Sequence, residues 1–293
     1  MKRGTKIKSW DKPPVALHIV TFCALLFLVL PILIVVPMSF NGENVLRFPP
    51  TDFSLKWYEV FFSSSKWINA TLVSIKIALG VTGLSCAVGI LASIGLSQKI
   101  MRGSRGLKLL LMAPIMLPSV IVAISMYLVF GQWKIVGTFS AIVLAHTCLA
   151  LPFVVTLISA SLSGLDPRLY DAARSLGAGH FTAIVKVVLP LIKPAIFSSM
   201  LFSFITSFDE SVLVLFITKT KTLTLPRMIY AELRYSISPA LAAVSSLLIF
   251  VTLFLFIFSR VLANMNPETA ALRSAEKANG KAMRLGEKGV KIC

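Results

Sequence analysis

Six stretches of this chain run for about twenty residues or more with scarcely a charge in them: residues 15–38, 69–97, 107–130, 137–160, 195–217 and 239–262. An α-helix needs about 20 mostly apolar residues to cross roughly 30 Å of hydrocarbon. Inside lipid a helix satisfies its own backbone, which makes it the natural spanning element. The chain is therefore expected to be an all-α integral membrane protein with six transmembrane helices. Composition agrees: 56% of the 293 residues are apolar and 14% are charged, against about 25% charged in soluble domains. These figures exclude a disordered chain, a disulfide scaffold and a soluble enzyme of this length.

The formal charge of +17 would suggest nucleic acid in a soluble protein. Here the charges sit between the apolar runs, and no zinc-finger or RNA-binding signature accompanies them. They fit orientation better. The tails and the connections at 98–107 and 161–193 hold about 20 Lys and Arg, and the alternate connections about eight. That bias puts both termini in the cytoplasm, and an even number of spans agrees with both ends lying on one side. The basic start (Lys2, Arg3, Lys6, Lys8) mimics a signal peptide. The apolar stretch behind it is too long for one and lacks a small-x-small cleavage site, so it is read as a retained span. The expected organisation is a cytoplasmic tail (1–14), a transmembrane domain (15–263) and a basic, solvated cytoplasmic tail (264–293) that could lie near anionic lipid.

Catalytic patterns are missing. Cys23, Cys86, Cys148 and Cys293 form no C-x-x-C and read as small hydrophobes. His18, His146 and His180 are scattered, with no H-E-x-x-H, so no metal set is expected. His146 is expected to be packed or hydrogen bonded inside its span. There is no G-x-S-x-G and no G-x-x-x-x-G-K-[ST] phosphate loop. Lys76, near the outer end of the second run, is expected to snorkel to the headgroups. Pro31, Pro37, Pro114 and Pro118, with Gly80, Gly83, Gly89 and Gly95, allow bends and close packing.

Two segments stand out. In the connection at 161–193, Asp166 is a good N-cap and Pro167 suits the first helical turn. Gly177 then stops the helix. Leu165, Leu169, Ala173 and Leu176 form an apolar stripe, with Arg168, Asp171 and Arg174 off it. A second amphipathic stretch (Phe181, Ile184, Val185, Val188) ends at Pro190 and Pro194. So short a helix is unstable alone in water and must dock on something. The second segment is Ser207-Phe208-Asp209-Glu210-Ser211, in the fifth run. Carboxylates cost about 2.5–3.5 kcal/mol each at a span centre, so they should face a cavity or a partner. Ser199, Ser203, Thr206, Ser207 and Glu210 share one helical face, with Asp209 roughly 100° away. That face has two readings: a wet path offering negative charge to a cationic substrate, or a capping box, Ser207-x-x-Glu210, at a helix break.

The run Asp171-Ala172-Ala173, three residues, Gly177, nine residues, Val187, one residue, Leu189-Pro190 resembles the EAA loop of permease subunits of binding-protein-dependent ABC importers. Asp171 replaces the usual Glu, and Val187 the usual Ile. The resemblance extends over about residues 15–263. It implies the type I ABC importer permease fold, with a cytoplasmic coupling helix between spans four and five. It also implies docking of that helix, through Asp171, Ala172, Ala173, Gly177, Leu189 and Pro190, on a separate ATPase subunit. The implied partners are a second, similar permease, two ATP-binding subunits and a soluble solute-binding protein outside an inner membrane. Mg-ATP would be used by the ATPases, with no cofactor bound by this chain. The Ser-Phe-Asp-Glu run, Phe53-Ser54-Leu55-Lys56-Trp57-Tyr58 and Thr224-Leu225-Pro226 resemble permeases of spermidine/putrescine importers. Polyamine is thus the expected cargo, along a path through Ser203, Thr206, Ser207, Asp209 and Glu210. Opines, ferric iron or amino-acid-like solutes are the alternatives within the class. A stand-alone secondary transporter is the alternative outside it.

Overall fold

A computed structural model describes residues 15–97, 104–235 and 238–264. The expected tails, 1–14 and nearly all of 264–293, lie outside them. Among the described residues the regular structure is helical, and the one strand-like feature is an isolated bridge between Asn41 and Phe53. The helices are α1 (Val15–Met38), α2 (Lys56–Ser63), α3 (Ser65–Ser97), α4 (Ser104–Met116), α5 (Ser119–Gln132), α6 (Phe139–Ser163), α7 (Pro167–Ser175), α8 (His180–Leu191), α9 (Lys193–Phe208), α10 (Val212–Ile217), α11 (Leu225–Tyr235) and α12 (Ala240–Asn264).

Four of these, α1, α3, α6 and α12, are long and apolar enough to span alone. The expected spans at 107–130 and 195–217 are not straight helices. The first divides into α4 and α5, bent by 105°. Pro118 is the N-cap of α5 with ψ 130°. It has no N–H to continue the ladder, and it pushes Leu117 out of the helical region. The second begins at Lys193, after a 74° bend from α8, and is broken at 209–211 before α10. The count reaches six if each bent pair is one span.

The chain forms two compact units, Met1–Ser63 with Glu232–Leu248, and Ser64–Ala231 with Ile249–Cys293. In the first, the connection after α1 folds back on itself. Ser54 N–H donates to Phe40 C=O (2.7 Å) and Gly42 N–H to Asp52 C=O (2.9 Å). The hydroxyls of Ser39 and Tyr58 share a hydrogen bond of 2.7 Å, and the Phe40 and Tyr58 rings lie 5.5 Å apart.

The second unit is built on α3, α6 and α9, which pack on one another. The contact face of α3 repeats small residues, Ala70, Ser74, Ala78, Ser85, Gly89 and Ser93, and small residues let helix backbones approach. Gly89 shows how closely: a Cβ there would fall 2.5 Å from Val154 Cγ1 of α6. Gly83 and Gly95 face open space, so they do not serve this packing. One apolar cluster joins Ile77, Val81, Ile142, Leu213 and Ile217; another joins Cys86, Val154, Ile158 and Ile192.

Candidate functional site: a loop helix and a broken acidic helix

The loop after α6 forms as its sequence implies. The Asp166 carboxylate accepts the Arg168 N–H at 2.9 Å, and Pro167 opens α7. The helix closes in a Schellman motif: Gly177 N–H donates to Arg174 C=O (3.0 Å) and Ala178 N–H to Ala173 C=O (3.1 Å). Gly177 has φ +87°, with nothing within 4 Å of where a Cβ would sit. Its conformation, not crowding, requires glycine. The Arg174 guanidinium donates to Ala178 C=O (2.8 Å), and the Tyr170 hydroxyl meets His180 Nδ1 at 2.5 Å. These bonds fold α7 back onto α8.

Asp171 and Ala172 are exposed and Ala173 is half-buried. The expected apolar stripe divides. Leu165 packs on the Val154–Ile192 cluster, while Leu176 is 89% exposed and Phe181 78%. Both leave large apolar side chains exposed at the end of the loop. Beneath the loop lies a groove of about 530 Å³, lined by Ile94 of α3, Leu162 of α6, and Tyr170, Asp171 and Val187 among others. Leu189 and Pro190 follow a π-helical turn at Ile184–Val188. Pro190 cannot donate to Lys186 C=O and crowds it, and the widened turn just ahead absorbs that defect.

At the acidic break, the buried serines of α9 are committed to helix contacts. Ser203 is buried and shares a 2.5 Å hydrogen bond with Ser85 of α3. The Ser199 hydroxyl lies 3.8 Å from the Cys86 thiol. Ser207 Oγ lies 3.0 Å from Nδ1 of the buried His146 of α6, whose Nε2 has no partner among the described residues. Thr206 is half-buried on the flank of this face. His146 is thus hydrogen bonded, as expected; its partner was not legible.

The helix does break at 209–211, though not through the reciprocal capping box that Ser207 and Glu210 suggest. Ser207 faces His146. Glu210 Oε1 instead accepts the N–H groups of Val212 (2.8 Å) and Leu213 (3.0 Å) ahead of it. Its charge therefore meets the N-terminus of α10. Asp209 closes α9 through its backbone N–H to Ile205 C=O (3.0 Å). Its side chain is exposed, and among the described residues its carboxylate meets no donor. The two adjacent acids therefore differ: one is a structural cap, the other an unpaired carboxyl group. Among the described residues no group of His, Cys, Asp and Glu could hold a metal ion.

Comparison with known proteins agrees with this geometry. Residues 85–269 match the family described as the binding-protein-dependent transport system inner membrane component. The spermidine/putrescine transport system permease protein PotC of Haemophilus influenzae is 31% identical over 245 residues, 84% of this chain and 95% of the relative. PotC of Escherichia coli K12 is 30% identical over 81% of this chain and 89% of its own length. The putrescine transport system permease protein PotI of the same organism is 29% identical over 76% and 82%. A solved bacterial ABC transporter that imports the acidic polysaccharide alginate aligns with a TM-score of 0.67 at 17% identity, over 86% of this chain and 98% of that one. At that identity the likeness speaks to fold. The family match spans more than half of the chain and the permease relatives most of it, so this chain belongs to the inner-membrane components of binding-protein-dependent transport systems, the multi-pass, non-catalytic permease subunits of ABC importers.

Proposed function

We propose that this subunit conducts a small polycation, a polyamine of the spermidine/putrescine type, into the cytoplasm. One observation carries the reading: Asp209 offers an unpaired carboxylate at a helix break inside an apolar segment. An intramembrane anion is costly unless something uses it, and an ammonium group would offset that cost directly. Glu210 supports the site from behind by holding α10 in place. The names of the relatives that match most of the chain support the same cargo.

In this reading the chain pairs with a second permease, two ATP-hydrolysing subunits and a soluble solute-binding protein, and both termini lie in the cytoplasm. Mg-ATP is bound by the ATPases. The α7 helix docks on one of them, burying Leu176 and Phe181, and its displacement is passed to α9 through α8. Asp171, Ala172, Ala173, Gly177, Leu189 and Pro190 shape that contact. The Ser203 and Ser207 face holds α9 against α3 and α6, so Asp209, with Thr206 on the flank, is the part of the acidic segment that meets cargo.

The test is uptake of labelled putrescine and spermidine in cells with and without the gene. Asp209→Asn should lower uptake at least tenfold at unchanged membrane abundance. Uptake indifferent to the gene would end the polyamine reading and leave the family assignment intact.

A further inference from the structure

The end of α6 away from the α7 loop carries three cations that neither the packing nor the acidic break uses. There α5 ends in the same capping motif as α7. Lys134 N–H donates to Gly131 C=O (3.1 Å), and Ile135 N–H to Phe130 C=O (3.0 Å). The residue at the left-handed position is Lys134, with φ 56°, where α7 has Gly177. Glycine is favoured at that position and a lysine is strained, so the backbone gives no reason for this side chain.

Lys219, which follows α10, lies with its aliphatic stem over Gly137. A Cβ on that glycine would fall 2.5 Å from Lys219 Cγ and Cδ. The Thr222 hydroxyl donates to Gly137 C=O (3.2 Å) and accepts Lys219 N–H (3.0 Å). The turn at 131–138 and the segment at 218–222 are thereby tied into one ledge. It presents Lys134, Lys219 and Lys221, all exposed. Among the described residues no carboxylate pairs with any of the three.

The ledge has an apolar lower edge. Trp133 is 62% exposed and Phe139 48%, and exposed Leu128 and Leu144 continue along α5 and α6. Tryptophan beside lysine at the end of an exposed apolar surface is the pattern of the headgroup level. These cations also sit on the side of the membrane that carries only about eight of the Lys and Arg residues, against the usual bias. An acidic protein would account for the lysines but not for the exposed aromatics beside them.

We propose that this ledge binds the phosphate of an anionic phospholipid. Lys134, Lys219 and Lys221 surround the phosphate, and Trp133 and Phe139 lie at the acyl boundary. Lipid phosphate near a surface lysine is attracted within a Debye length, and a preformed ledge concentrates three such attractions on one headgroup.

The proposal does not depend on which solute is carried, and the full-length chain in detergent suffices to test it. A photo-crosslinkable phosphatidylglycerol analogue should label residues within 131–139 or 218–222, and a phosphatidylcholine analogue should label them at least fivefold less. Lys134→Gly removes a charge while relieving the cap, so it should lower labelling about threefold with no fall in melting temperature. Lys219→Gln with Lys221→Gln should lower it further. Equal labelling by the two lipids, or labelling unchanged in all the variants, overturns the proposal. So does unchanged lipid labelling accompanied by lost binding of a soluble acidic solute-binding protein, which would assign the ledge to a protein.

Discussion

Adjacent carboxylates at 209 and 210 show how one residue step changes a role. Glu210 Oε1 holds two backbone N–H groups at 2.8 and 3.0 Å, and a charged acceptor makes a stronger bond than a neutral one by about 1 kcal/mol. Glu210→Gln should therefore destabilise the purified chain by about 1 kcal/mol, read as a lower unfolding midpoint in detergent. Asp209→Asn breaks no contact and removes an unpaired carboxylate from an apolar segment, so it should leave the midpoint unchanged or raise it. If the two variants shift the midpoint equally, the division of labour is wrong. The glycines divide in the same manner. Gly89→Ala would force a methyl to 2.5 Å from Val154 Cγ1 and should cost about 1–3 kcal/mol as overpacking. Gly83→Ala, with open space around it, should be neutral or slightly stabilising on the same scan. In the sequence these glycines look alike, because spacing along α3 does not reveal which one a neighbouring helix's side chain presses against.

At the scale of elements, hydroxyls hold the second unit together. Ser85 meets Ser203, and His146 meets Ser207, across three apolar helices. Such bonds are worth about 0.6 kcal/mol each within membranes, so their main effect is to set register. The register predicts a crosslink. Ser199 Oγ lies 3.8 Å from the native Cys86 thiol, so Ser199→Cys should form a disulfide under mild oxidant. Closure in the purified chain is read as a shift in gel mobility after cleavage between α3 and α9; no crosslink would mean that the register differs. The serine spacing of three and four was legible in the sequence. Whether that face meets water or other helices was not, since both demand small polar residues at the same period. The loop helix was legible almost to the residue, because Asp166, Pro167 and Gly177 each carry a local backbone reason. The bend of 105° between α4 and α5 was not. Pro114 and Pro118 announce an interruption of the ladder but not its angle, which packing sets.

At the scale of the whole molecule, the direction of the chain across the membrane rests on charge, and α6 turns that into a test. It has 25 residues, about 37 Å at 1.5 Å per residue, enough to cross the hydrocarbon with its ends in different compartments. Thr138 caps one end by accepting the Ala141 N–H (3.2 Å), next to the lysine ledge. Ser163 closes the other, next to α7. If the cationic bias orients the chain, α7 is cytoplasmic and the ledge is outside. Ser175→Cys, exposed in α7, and Lys221→Cys, exposed on the ledge, report the two ends separately. The native cysteines are replaced by serine to give a clean background. In intact cells with a permeable outer membrane, a membrane-impermeant maleimide should label Lys221→Cys and spare Ser175→Cys. Lysis should expose both. Reversed labelling would place α7 outside, out of reach of any cytoplasmic ATPase, and would remove the proposed coupling contact even though every helix stayed where it is.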